Sequence, residues 1–479
     1  MDISIKKLIN KNKTTFTIIV LELFTVILGC LSLFIHHQNS WFMIFFLVSI
    51  LQLIIHLIFL YANEKKFFTF PIFFMILSYI FNFGHIPLKA FGTEFGKNVL
   101  YPMWYIDFPT YQKSALFALL SQMMIFFGIY LFIRFTQKKI LNSQKIYHQL
   151  PKISLKTIRI LGYMCIAIGL IPTLYIDISK LILFIQGGYT NTFNLNIHDF
   201  IEVVANFFNF GIFALIIGYS KQRKVANIIF VSTIGYKLIM MSSGGRGEAI
   251  VFLLGLFIVW ENLVMNLSVK QIIYLLIIGY FGLVLLNFIA SMRNIPSFQI
   301  DKILHILWVS FSDNQIVTAL SEFGSTFSTL CFTIKSNPSP TFGLNYIFPI
   351  ILVLPNIAGF NSGVVNQMIF TKHINTFNQP IGGSYIAELF YSFHWFGWIF
   401  AIVLGILIGY ISFKISQSQK DKNYFTYLLF SYSMPLLFFW IRGYFGAIYR
   451  ELIWHGSFAI CFIFVLHFLQ KKYRKDLQS

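Results

Sequence analysis

Long runs of apolar side chains recur along the 479 residues, broken at fairly regular intervals by short basic or glycine-containing segments. A helix needs about 20 mostly apolar residues to cross the hydrocarbon of a bilayer. Runs of that kind cover 15–36, 41–61, 67–84, 112–133, 158–176, 200–219, 225–241, 249–261, 271–290, 395–413, 423–440 and 452–469. They are too long and too uniformly apolar for barrel strands, whose lipid and lumen faces alternate, and lipid offers no partner to open backbone. The pattern therefore predicts an all-α polytopic membrane protein with about 12 transmembrane helices, between about 11 and 14.

One further apolar stretch, 342–357, would invert every later segment if it crossed alone. It is expected to be re-entrant, to lie on the membrane surface, or to pair with a second marginal crossing near 316–332. No repeat, linker or soluble insertion divides the chain, so residues 1–479 read as a single transmembrane domain with one large external loop at 291–394. That loop is rich in proline and carries Gly382-Gly383, a composition that favours short or re-entrant helices joined by fixed turns.

Composition removes the soluble alternatives: 57% of residues are hydrophobic, 58 are phenylalanine and only 11% are charged. Charge then sets the sidedness, because lysine and arginine concentrate in cytoplasmic loops. Lys6, Lys7, Lys11 and Lys13 precede the first run, Lys65 and Lys66 follow the second, and seven basic residues fall between Arg134 and Arg159. Lys221, Arg223, Lys224, Lys270, Lys414, Lys420, Lys422 and a tail of Lys471, Lys472, Arg474 and Lys475 complete the set. These residues share one face only if both termini are cytoplasmic, so the net charge of +19 is a topology signal and implies membrane lipids, not nucleic acid, as the partner. The Ile27-Leu28-Gly29-Cys30 run resembles a lipoprotein processing site, but Leu28 is bulky and the chain returns to membrane at once, so a retained helix is expected. Cys30, Cys165, Cys331 and Cys461 are scattered and suggest neither a disulfide framework nor a thiolate metal site.

The outer connections are then 85–111, 177–199, 242–248, 291–394 and 441–451. Arg246, Arg293, Arg442 and Arg450, half of the arginines, fall there, on the face where topology disfavours positive charge. Together they point to an anion site. Arg246 sits in Ser242-Ser243-Gly244-Gly245-Arg246-Gly247-Glu248, a turn whose glycines allow close backbone approach and whose following helix offers free amides. Its guanidinium fork suits phosphate or pyrophosphate; the alternative is a plain tight turn with Arg246 paired to Glu248 or to lipid head groups. The turn lacks the lysine and hydroxyl of a nucleotide-binding P-loop. Arg442 and Arg450, eight residues apart, share a face if that stretch is helical.

At the far end of the large loop, 379–397 couples the glycine pair to a helical pattern whose sole carboxylate is Glu388 and which ends near His394. Glu388 is the expected base or hydroxyl acceptor, with Glu322, His373 and His394 as further candidates. Tyr385, Tyr391 and Trp395 offer faces for sugar rings, or form an interfacial aromatic belt. No spacing of ligands supports a metal, and none suggests a cofactor. Glu22, His56 and Lys237 lie within or near spans, where tertiary pairing is the expectation.

On these residues the chain resembles the bacterial oligosaccharide repeat-unit polymerases, the O-antigen and capsular polysaccharide polymerases. The shared features are the polytopic helices, the Gly-Arg-Gly turn, a large outer loop closing with Gly-Gly-Ser-Tyr…Glu and Phe…Gly, and a late Arg-Gly. The resemblance implies a polymerase and ligase architecture of the GT-C-like kind in the bacterial plasma membrane. It implies a glycosyltransferase acting on oligosaccharides linked by pyrophosphate to a polyprenol, which passes the growing glycan to the non-reducing-end hydroxyl of another lipid-linked unit. By resemblance Arg246, Arg442 and Glu388 are catalytic, while the residue types themselves put Arg293, Arg450, Glu322, His373, His394, Tyr385, Tyr391 and Trp395 on the substrate. A flippase and a chain-length regulator of the same pathway are the implied partners. An O-antigen ligase would share the donor but differ in acceptor, and a flippase would carry its charges along a central pore.

Overall fold

The computed structural model describes residues 2–95, 99–142, 153–187, 191–192, 195, 197–241, 243, 246–292, 308–311, 314–353, 370–377 and 381–476. All regular structure among them is helical. In chain order the elements are α1 Asp2–Ser32, α2 Gln38–Glu64, α3 Phe70–Phe83, α4 His85–Ala90, α5 Phe108–Asn142, α6 Leu155–Gly187, α7 Asp199–Gly218, α8 Arg223–Met241, α9 Arg246–Trp260 and α10 Val269–Met292. They continue with α11 Gln315–Gly324, α12 Phe327–Ser336, α13 Leu344–Ile347, α14 Phe370–Asn375, α15 Tyr385–Phe393, α16 Gly397–Lys420, α17 Tyr424–Trp440 and α18 Gly446–Asp476. Each of the twelve predicted runs coincides with one of these helices. Eight segments are long and apolar enough to cross a membrane by length and composition, while 17–32, 70–83 and 270–285 are shorter apolar helices.

Without a hydrophobic force between helices in lipid, close packing through small residues carries association. Helices α5 and α16 meet where a Cβ at Gly405 would lie 2.0 Å from the Ile125 carbonyl oxygen and one at Gly128 would lie 2.2 Å from that of Ile402. Helices α6 and α7 meet in the same way, with Gly169 against the Phe208 amide. Gly405→Leu must therefore force α5 and α16 apart, at a cost of about 1–3 kcal/mol or more. The expected result is a lower melting temperature and poor recovery of monodisperse protein in detergent; normal melting would show that the contact is dispensable.

Cross-contacts sort the loops into two ends, as alternating crossings require. At one end Lys66 bonds Asn262 at 3.0 Å, Asn262 bonds the Phe68 carbonyl at 2.9 Å, Gln419 bonds the Asn262 carbonyl at 2.7 Å, and Ser412 bonds Glu64 at 3.2 Å. At the other end Ser328 of α12 bonds the Leu100 carbonyl at 3.1 Å and Lys335 bonds that of Tyr105 at 2.6 Å. Trp454 of α18 bonds the Val353 carbonyl there at 2.8 Å. Residues 316–332 form two short helices, and His85 at the start of α4 bonds the Ser321 carbonyl on α11 at 2.7 Å.

Glu22 and His56 do pair, at 2.9 Å with both side chains wholly buried. Gln52 bonds the Glu22 carboxylate at 3.2 Å and accepts from the Tyr79 hydroxyl at 2.6 Å, so these polar groups are tied together inside the packing of α1, α2 and α3.

Candidate functional site

Toward the end of the bundle that carries the large loop, α6, α7, α8, α9, α17 and α18 enclose a cavity of about 440 Å³. Its wall is charged, which is costly within an apolar bundle and marks function more often than not. Helix α6 supplies Asp177 and Lys180, α7 supplies Glu202 and Asn209, and α8 supplies Lys237. Glu248 of α9, Tyr432 of α17, and Arg450 with Glu451 of α18 complete the polar lining.

Two helix boundaries create this wall. Helix α6 runs on to Gly187, beyond the expected end at 176, so Asp177 and Lys180 lie on a helix three residues apart and face alike. Helix α18 starts at Gly446, so Arg450 and Glu451 sit on its second turn and not in a loop. Arg442 falls in the preceding turn, and the expected common helical face for Arg442 and Arg450 is corrected accordingly. The Tyr236 hydroxyl donates to Asp177, and that of Tyr432 donates to Glu451 at 3.2 Å. The Lys237 ammonium lies 4.9 Å from the centre of the Phe252 ring.

The four arginines expected at the site are thus distributed. Arg450 lines the cavity. Arg246 opens α9, two residues before Glu248, and forms an ion pair with Glu322 of α11 at 2.8 Å. Arg442 packs over the glycine pair, its Cγ 3.6 Å from where a Gly382 Cβ would stand, and it precedes the cavity residue Tyr444 by two positions. Arg293 and the glycines at 244 and 245 lie outside the described residues.

Glu388 is buried on α15 and does not line the cavity. Its carboxylate accepts from the Trp440 indole and from the Phe445 backbone amide, the latter at 3.2 Å to each oxygen. Beside it, a Cβ on Gly383 would fall 2.1 Å from the Gly443 carbonyl oxygen. The Gly382 carbonyl accepts from Thr329 of α12 at 2.7 Å. The glycine pair and Glu388 together clamp the turn 441–445 that leads into Arg450.

The remaining candidates surround α15. Tyr385 is wholly buried, its hydroxyl 2.6 Å from Ser78 and 3.0 Å from the Gln122 amide, so it presents no free ring face. Tyr391 is buried and stacks on His373 at 4.9 Å, whose imidazole burial holds down at a pKa of about 4. His394, at φ +51°, contacts the Pro338 carbonyl and stacks on Phe390 at 5.1 Å. Trp395 is exposed, with its edge toward Phe390. Among the described residues no group of three or more His, Cys, Asp or Glu is placed to hold a metal ion.

Sequence reasoning missed Asp177, Lys180, Glu202 and Glu451 as wall residues and passed over Lys237. Only Lys237 gave a signal, as a charge four residues inside a span.

A family model described as O-antigen polysaccharide polymerase Wzy matches residues 14–472 of this chain. Neither a search of curated proteins nor one of solved structures finds a match.

Proposed function

Since this chain belongs to the O-antigen polysaccharide polymerase Wzy family and joins lipid-linked oligosaccharide repeat units, we propose that its charged cavity holds the pyrophosphate end of the polyprenyl-linked donor. The observation that carries the reading is the convergence of Lys180, Lys237 and Arg450 from three helices on one cavity, which they line together with Asp177, Glu202, Glu248 and Glu451, within a multi-span apolar bundle. Arg246 and Arg442 are not lining residues, but each stands two residues in sequence from one, Glu248 and Tyr444 respectively. The basic loops support a cytoplasmic side for both termini and for the 64–68, 261–268 and 412–423 end, which with about 12 crossings puts the cavity toward the outer side in this reading.

In this arrangement the acceptor hydroxyl attacks the anomeric carbon of the donor sugar while the bond from that carbon to the pyrophosphate oxygen breaks. Charge accumulates on the departing pyrophosphate, and preorganised cations out of bulk water stabilise it. Such a leaving group needs little proton donation, so cations serve where a hydrolytic glycosidase would use a second carboxyl. The glycan moves to the non-reducing end of a second lipid-linked unit, and polyprenyl pyrophosphate leaves. The flippase and chain-length regulator of the pathway are the fitting neighbours.

Incubating purified protein with a lipid-linked repeat unit and resolving products by size tests the reading. A ladder of lipid-linked multiples is the expected product. Transfer to an unrelated lipid with no ladder would replace the polymerase by a ligase.

A further inference from the structure

Resting on the placement of the donor pyrophosphate in this cavity, we propose that Glu451 is the base that takes the proton of the acceptor hydroxyl. A base must come within about 3 Å of the hydroxyl while the leaving group departs on the other side of the anomeric carbon. Glu451 lines the cavity that holds the donor in the proposed reading, and as the chain neighbour of Arg450 on α18 its side chain leaves the helix about 100° away from the arginine's, so the two address different parts of the cavity. At about 440 Å³ the cavity is in the size range of small-molecule sites.

The other cavity carboxylates are less suited. Asp177 already receives the Tyr236 hydroxyl, while Glu202 and Glu248 are exposed near helix starts, where water competes for them. Glu451 is less exposed, and among the described residues its carboxylate accepts only from Tyr432, through one oxygen. Tyr432 is itself fixed between Phe210 at 5.0 Å and Phe213 at 5.5 Å, so the carboxylate is aimed while its second oxygen stays open to a ligand. Glu388, by contrast, spends both oxygens on the Phe445 amide and one also on Trp440.

The step balances without a further reactant. The hydroxyl proton passes to a Glu451 oxygen, the hydroxyl oxygen bonds the anomeric carbon, and the electron pair of the broken bond leaves on the pyrophosphate. The carboxyl then loses its proton to outer-face water.

Turnover of a lipid-linked repeat unit and binding of polyprenyl pyrophosphate, measured on full-length protein, test the assignment. Glu451→Gln should lower turnover by about 10²–10⁴-fold while leaving polyprenyl pyrophosphate affinity intact. Glu451→Ala should regain part of its turnover with added formate. Tyr432→Phe, which keeps the carboxylate but frees it, should lose about tenfold in turnover, the worth of one hydrogen bond. Wild-type turnover in Glu451→Gln, or in Tyr432→Phe should the first not accumulate, overturns the proposal. So does loss of polyprenyl pyrophosphate affinity in step with turnover and without formate rescue. If Lys237→Ala and Arg450→Ala bind polyprenyl pyrophosphate normally, the donor placement fails instead, a result separate from either of these.

Discussion

Alanine at Arg450 or Lys237 is expected to abolish most polymer formation while the protein still inserts and folds. Each replacement removes one cation from the cavity wall that receives the pyrophosphate in the proposed reaction. Removing one preorganised donor from developing negative charge costs roughly 10²–10³-fold in turnover. Arg450→Lys should recover only part of this, because a point charge replaces a planar fork that can grip two oxygens at once. Lys237→Arg tests the converse, since it keeps the charge but puts a broader head where the ammonium now lies 4.9 Å from the centre of the Phe252 ring. The check is initial rate of ladder growth at fixed protein level. Unchanged rates in both alanine variants would remove the cavity from the reaction.

Glu388 carries the second large expectation, and its structure changes what the substitution should do. A base at this position would lose turnover on conversion to Gln while holding its donor. The carboxylate instead receives the Trp440 indole and the Phe445 amide in a buried setting. The one acceptor oxygen of Gln can still meet both donors where the Trp440 indole now bonds, but its amide NH2 then faces the Phe445 N–H, donor against donor, and leaves a buried group unpaired at a cost of about 1–3 kcal/mol. The turn 441–445 then loosens, and Arg442, Tyr444 and the start of α18 shift with it. Displacement by about 1 Å can cost 10²-fold in rate. Glu388→Gln should therefore lose donor affinity and turnover together at normal protein level. Retained donor affinity with lost turnover would return Glu388 to the chemistry.

The surroundings of Glu388 and Glu451 show what a chain can and cannot reveal when read alone. The helices were legible because each is a local property: about 20 apolar residues announce a helix wherever they pack. The loops that share an end followed from charge and alternation, and the contacts of Lys66, Asn262 and Gln419 agree with that grouping. Helix ends were the weak point, since a polar residue at the tip of a run reads as loop. That is how Asp177 and Lys180, one turn further along α6, and Arg450 and Glu451, on the second turn of α18, were assigned to connections.

Partners were illegible for a different reason. Arg246 finds Glu322 across 76 residues, and Glu388 finds Trp440 and Phe445 across 52 and 57. No spacing rule reaches so far. Glu248, the near neighbour of Arg246, instead faces the cavity. The glycine pair was read as a turn signal, whereas its physical demand is the absence of a side chain: the Gly443 backbone occupies the place of a Gly383 Cβ.

The most direct measurement is a structure of the protein with polyprenyl pyrophosphate bound. The account predicts phosphate density inside the cavity, within hydrogen-bond reach of Arg450 and Lys237 and with Glu451 facing the open side. Density held elsewhere, with the cavity empty or filled only by lipid tails, would contradict it.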